Sequence, residues 1–335
     1  MPRKPTMPDV ARAAGVSAMT VSYVYNKPDR VAPDTQRRVL EAADELGYAG
    51  PNAAARNLRR GRTGNIGVVL GERLSYAFAD PQATVFLAGV AEVCAEHGLG
   101  LTLIPVTGDE SDVGRVQQVA VDAFIVWTTT DDDPVLAAVR TSGLPAVVHG
   151  GPAVEGLHLV AIDDRAAAAA VAAIGLRHAT APAVISFPLN RDRRPQLLLG
   201  PDPQTATYPV TRARLAGYRD AVRSAGLDWA STPVLVLARN DRAEATRALD
   251  QLPATTDTVL AMSDELALGA LDAPLLDTTR FAVTGWDYSP TAPGLTTVVQ
   301  SLRDQGSQCA RLVVGDPPGP PPAWNVITRS STPDA

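Results

Sequence analysis

The chain has little cysteine: Cys94 and Cys309 are the only two in 335 residues. They lie far apart and neither sits at a metal-ligand spacing. This excludes a disulfide scaffold and leaves two buried thiols in a reducing cytosol as the expectation. The four histidines do not cluster with them. No apolar run is long enough to cross a bilayer, and the N-terminus carries no secretory pattern. P-loop, zinc-binding helix and nucleophile-elbow signatures are missing as well. Together these absences predict a cytoplasmic chain that needs neither metal nor cofactor and is not an enzyme.

Charge is plentiful but segregated. The formal net charge is −6, yet residues 1–63 hold 11 Lys+Arg against 6 Asp+Glu, and the remainder holds 19 against 30. A basic head on an acidic body suits phosphate binding at one end.

That head has a legible local structure. Thr6 with Asp9 resembles a capping box, and Pro8 falls in the first turn, where its missing N–H does no harm. Val10, Ala11 and Ala14 share one helical face. Gly15 and Val16 make a turn, and Ser17 caps a second helix running to about Tyr25. Val21 and Val24 point inward with Val16, leaving Ala18, Met19, Ser22 and Tyr23 on the opposite face. A third helix starts at Pro33, with Val39, Leu40, Ala43 and Leu46 as its stripe, and ends at Gly47. This is the outline of a helix-turn-helix, whose second helix docks in the DNA major groove. Residues 51–60 read as a short helix capped by Asn52, with Arg56, Arg59 and Arg60 placed to meet phosphates. An ordinary linker is the alternative.

From residue 65 the pattern alternates strands and helices. Candidate strands are 66–70, 99–105, 123–127, 146–148, 159–162, 183–186, 234–237, 258–261 and 281–284. Short apolar runs followed by helical segments predict doubly wound parallel sheets, and some 270 residues call for two lobes. Ligands of such sheets bind at the carboxyl ends of the strands. The candidate ligand residues are therefore Ser75, Tyr76, Phe78, Trp127, His149, Asp163, Asn240, Ser263, Asp264 and Asp287, with Arg214 on a helix. Aromatic faces, carboxylates and an Arg suit a polyhydroxylated ligand. A loop cap or a satisfied polar group is the equal alternative for most of them. Residues 187–210 read as a long loop, either a lid or an insertion.

The segments Asp9-Val10-Ala11, Ala14-Gly15-Val16-Ser17, Thr20-Val21-Ser22 and Asn26 resemble the lactose-repressor (LacI/GalR) family of bacterial transcription regulators. So do Val39-Leu40, Leu46-Gly47-Tyr48, Pro51-Asn52, Ala55-Arg56, Leu58 and Arg62-Thr63-Gly64. The resemblance continues more weakly to about Arg329. It implies a homodimer on a near-palindromic DNA operator, with Ala18, Met19 and Tyr23 reading bases and Ser17, Thr20, Ser22 and Asn26 mostly holding phosphates. None of the three readers is Arg, Gln or Asn, so modest direct readout is expected. The hinge helix would enter the minor groove and insert Leu58 into the central step, with Asn52, Ala55 and Arg56 beside it. Arg214 and Asp287 match effector-binding positions of the family, and the effector is expected to be a sugar or related polyol.

The implied architecture is an all-α headpiece (1–50), a hinge and linker (51–64) and a two-lobed receptor of periplasmic-binding-protein type (65–335). The N-lobe would comprise 65–162 plus 291–315, and the C-lobe 163–290 plus 316–330. Three crossings are expected near 162–164, 288–295 and 315–323. The predicted function is an effector-controlled transcription regulator, usually a repressor. Alternatives are a DNA-binding regulator without a small-molecule switch and, against the missing export signal, a solute-binding protein.

Overall fold

The computed structural model describes residues 5–50, 61–71, 78–107, 109, 111–273 and 281–332. The chain divides into two units, Met1–Gly64 and Asn65–Ala335.

In the first unit, α1 (Met7–Ala14) begins at the Thr6–Asp9 capping box, where the Thr6 N–H donates to Asp9 Oδ2 at 2.9 Å. It ends where Gly15 adopts φ 63° and donates back to the Ala11 carbonyl, a left-handed turn that glycine makes at no steric cost. Ser17 caps α2 (Ala18–Asn26), its Oγ accepting from the Thr20 N–H at 3.0 Å. Pro33 opens α3 (Pro33–Glu45). Arg38 Nη2 donates to the Ala14 carbonyl at 2.6 Å and ties α3 to the turn. The core is Val10, Ala11, Ala14, Val21, Val24, Val39, Ala42 and Ala43. Leu40 and Leu46, expected in the α3 stripe, are exposed instead. Two short helices cover only a narrow strip of α3, so Ala42 takes the inward place, and Leu46 lies past the helix at its C-cap.

The second unit holds two sheets. The first runs in the order β2-β1-β3-β4-β5, all parallel: β1 (Asn65–Leu70), β2 (Gly100–Pro105), β3 (Ala123–Trp127), β4 (Ala146–His149) and β5 (His158–Val160). Helices α4 (Pro81–Glu96), α5 (Ser111–Gln118) and α6 (Pro134–Thr141) connect its strands. The second runs β12-β11-β10-β9-β6-β8-β7. Its members are β6 (Pro182–Ser186), β7 (Gln196–Leu199), β8 (Pro233–Val236), β9 (Thr258–Ala261), β10 (Ala282–Trp286), β11 (Thr296–Gln300) and β12 (Trp324–Ile327). Among the described residues only β7 and β12 pair antiparallel, at the two edges. Helices α7 (Asp164–Gly175), α8 (Pro209–Ser224), α9 (Arg242–Ala248) and α10 (Asp264–Leu271) belong to this lobe, and α11 (Leu302–Val314) returns to the first.

Two expectations change. The segment 187–210 is not all loop, because Gln196–Leu199 forms the edge strand β7 against β8. The second crossing falls at Gln300–Leu302, beyond 288–295: β11 pairs in parallel with β10, so residues 291–300 belong with the second lobe. The N-lobe's returning part is therefore α11, which packs on α4. The close approach depends on two glycines. A Cβ at Gly89 would stand 1.9 Å from the Arg303 carbonyl oxygen, and one at Gly306 2.2 Å from that of Phe86.

Candidate effector cleft and DNA-reading face

On α2, Val21 and Val24 are buried, while Met19 is 64% and Tyr23 38% exposed. Ala18 is exposed beside them. Ser17 and Thr20 hydroxyls lie 2.9 Å apart at the helix start. Asn26 Nδ2 donates to the Ser22 carbonyl at 2.8 Å and contacts Ser22 Oγ at 3.3 Å, so its amide helps close the helix end. Asn52, Ala55, Arg56 and Leu58 lie outside the described residues, as do Ser75 and Tyr76.

In the receptor, the carboxyl ends of both parallel sheets meet at a cavity of about 160 Å³. This is the place expected for a ligand of doubly wound sheets. Leu70, Trp127 and His149 reach it from the ends of β1, β3 and β4, and Phe187 and Asp287 from just past β6 and β10.

Arg214, on α8, is the centre of the site. It is buried, and Nε donates to Asp164 Oδ1 at 2.8 Å. Nη1 donates to the Met262 carbonyl. The guanidinium lies 3.7 Å from the centroid of the Trp286 ring, a stacked geometry that a planar cation favours. Burial pushes the Asp164 carboxyl up, and the Arg214 charge opposes this. Burial likewise raises Asp287 well above the usual carboxylate range, against Arg214. Asp287 takes φ 106° and Gln300 Nε2 donates to its Oδ1 at 2.9 Å. Thr128 and Arg193, also on the cavity wall, share positive φ, as does Tyr288 after Asp287. Such strain persists only where the surroundings enforce it, and it concentrates at ligand sites.

Trp127, His149, Arg214, Asn240 and Asp287 thus come together as expected. The other expected residues that are described, Phe78, Asp163, Ser263 and Asp264, do not line the cavity. Phe78 is 63% exposed and away from the cavity wall. Asp163 caps α7, accepting from the Ala166 N–H at 2.9 Å, and its neighbour Asp164 takes the inward position. Ser263 caps α10 and donates to Asn240. Asp264 is buried but spent on Ser289 N–H at 2.6 Å and Thr297 Oγ1 at 2.7 Å, and burial raises its pKa to about 6. Each of these polar groups is satisfied locally, which is what a buried donor or acceptor demands.

Several lining residues escaped the sequence reading. Asp80 caps α4 through the Gln82 N–H at 2.9 Å and faces Asn240 Nδ2 at 3.4 Å. An Asp-Pro pair ahead of an apolar helix was a usable cap signal. Gln300 and Gln305 carried no signal. In the segment 187–210, Arg193 Nη2 donates to the Gly71 carbonyl at 3.0 Å and Arg191 Nη2 to Thr130 Oγ1 at 3.0 Å, so second-lobe arginines grip the first. Arg212 pairs with Asp131 across the same gap.

The cleft therefore offers carboxyl groups (Asp80, Asp287), an anchored guanidinium and an aromatic wall. Among the described residues no group of three His, Cys, Asp or Glu could hold a metal, and no helix is long and apolar enough to cross a membrane.

Comparison with known proteins gives the following. The family described as bacterial regulatory proteins, lacI family, matches residues 6–52, and the periplasmic binding protein-like domain matches 193–332. The chain is 36% identical to the HTH-type transcriptional regulator Rv3575c of Mycobacterium tuberculosis, across 97% of this chain and 94% of that protein. It is similar to the solved transcriptional regulator CelR–cellobiose complex, with TM-score 0.65 and 26% identity over 98% of this chain and 99% of that one. It shares its fold with the lac repressor dimer bound to operator and the anti-inducer ONPF, with TM-score 0.72 and 21% identity over 98% and 99% of the two chains.

Proposed function

Because the chain belongs to the lacI family of bacterial regulatory proteins and is a DNA-binding transcription regulator, we propose that it is a repressor whose operator affinity is set by a neutral polyhydroxylated effector in the receptor cleft. The observation that carries this reading is Arg214. Its charge is matched by Asp164, its guanidinium lies over the Trp286 ring, and Nη2 takes no partner among the described residues. That atom can donate to a hydroxyl while Asp287 and Asp80 accept from others. Asp80 and Asp287 are two buried acidic side chains on the wall of a small cavity, and a phosphorylated or carboxylated ligand would set a further anion against them, which disfavours it. CelR, a relative bound to cellobiose, supports a sugar as the ligand class.

On DNA, the dimer places one α2 in each half-site, with Ala18, Met19 and Tyr23 against bases and Ser17, Thr20 and Ser22 at phosphates. Ala and Met suit thymine methyls, and Tyr23 supplies one hydrogen bond. Asn52, Ala55, Arg56 and Leu58 act in the minor groove, where a Leu wedge bends the duplex. Effector binding and DNA binding are then linked reciprocally.

A thermal-shift panel of neutral monosaccharides, disaccharides and cyclic polyols, set beside sugar phosphates, tests the effector. A true ligand at one hundred times its Kd stabilises the receptor by about 3 kcal/mol, and Arg214→Lys should abolish that shift. A panel in which no neutral compound raises the melting temperature, or in which only sugar phosphates do, overturns the proposal.

A further inference from the structure

Four residues on the cavity wall are joined in a single file. His149 Nε2 lies 2.9 Å from Gln305 Oε1, Gln305 Nε2 donates to Gln300 Oε1 at 3.1 Å, and Gln300 Nε2 donates to Asp287 Oδ1 at 2.9 Å. The file has a direction. Gln300 turns its NH2 to Asp287 and its carbonyl to Gln305. Gln305 in turn presents its NH2 to Gln300 and its carbonyl to His149. The last acceptor requires a hydrogen on His149 Nε2, which in a neutral imidazole leaves a lone pair on Nδ1. That Nδ1 is buried and has no partner among the described residues, the kind of orphan that calls for a missing donor. Burial supports the neutral ring, lowering its pKa to about 4.

The file also passes from one lobe to the other. Asp287 and Gln300 stand at the ends of β10 and β11, while His149 ends β4 and Gln305 lies on α11. Between the glutamines, Ser301 caps α11, its Oγ accepting from the Asp304 N–H at 3.1 Å. Rotation of the lobes about this crossing moves Gln300 with one and Gln305 with the other.

We propose that Asp287, Gln300, Gln305 and His149 form a directional relay that reports an effector hydroxyl at Asp287 to the first lobe. In it, Gln300 and Gln305 are positioning residues that hold His149 as the Nε2–H tautomer and keep Nδ1 as an acceptor for a ligand donor. The relay's purpose rests on the effector reading above, but the tautomer is a property of the protein alone and is measured without any ligand.

The test is long-range proton–nitrogen NMR of the full-length protein labelled in histidine, at neutral pH, with His149 assigned by its loss in His149→Phe. The expected result is a neutral His149 with hydrogen on Nε2 and an unprotonated Nδ1 resonance. Gln305→Leu should shift that pattern to a mixture of tautomers. Asp287→Asn should do the same from three residues away, since an amide can turn either way. A wild-type His149 that is charged, or that carries its hydrogen on Nδ1, overturns the relay whether or not Gln305→Leu and Asp287→Asn fold. So does a pattern unchanged in both variants. A sugar panel without a hit, alongside the expected tautomer, would sink the effector reading and leave the hydrogen-bond relay standing.

Discussion

In residues 5–50 the groups proposed to read DNA stand outside the core. Eight small apolar side chains make that core, and Met19 and Tyr23 project from it into solvent. In the receptor the corresponding groups are interior. Arg214, Asp164 and His149 are all buried, and each is held by a partner. A surface reader can change without disturbing the fold that carries it. A buried reader cannot, because it is also a structural member whose loss leaves another polar group unpaired.

Arg214→Ala tests this contrast most severely. It strands the Asp164 carboxylate in the interior and should cost about 3–5 kcal/mol of receptor stability. Urea unfolding followed by tryptophan fluorescence measures it directly, since all four tryptophans lie beyond residue 64. A loss under about 1 kcal/mol would break the comparison.

Acid should separate the two units next. All four histidines lie in the receptor, and burial sets the His149 pKa near 4, below its ordinary 6.5. As pH falls below 6.5 the unfolded chain takes up the proton first. The stability His149 contributes is therefore complete above 6.5 and is lost progressively towards pH 4, by about 3 kcal/mol. Asp264, raised to about 6, works in the opposite sense, adding stability as pH falls through 6. The difference between wild type and His149→Phe across pH 4–7 isolates the imidazole. Parallel curves would refute its buried, neutral state.

The smallest effect on stability belongs to Tyr23→Ala, within about 0.5 kcal/mol because the ring stands outside the core. Its effect on function should be the reverse: the DNA sequences selected by the purified protein should shift in each half-site. An identical selected-site profile would remove Tyr23 from the readers.

Legibility followed the range of the forces involved. The Thr6–Asp9 box, the Gly15 turn and the Ser17 cap were readable because each joins residues within a few positions. The strands of the parallel sheets were readable as apolar runs. β7 was not, because as an edge strand in a proline-rich segment it leaves Leu197 and Leu199 exposed. The span 291–315 reads as first-lobe, yet β11 within it joins β10, since nothing local tells a strand which sheet it will join. In the cleft, residue type narrowed the candidates but could not separate Asp163 from Asp164, adjacent acids of which one caps a helix and the other meets Arg214.

The sequence by itself determined the helix-turn-helix, the alternation of strands and helices behind it, and the basic-to-acidic polarity of the chain, because caps, turns and periodic burial act over single turns and strands. Only the tertiary structure decided which polar groups face the cleft. Those pairings join strand and helix ends 50, 156 and 160 residues apart, as in Arg214 with Asp164, His149 with Gln305, and Asn240 with Asp80. A buried polar atom takes whichever partner the assembled sheets bring within reach, and that choice has no local signature.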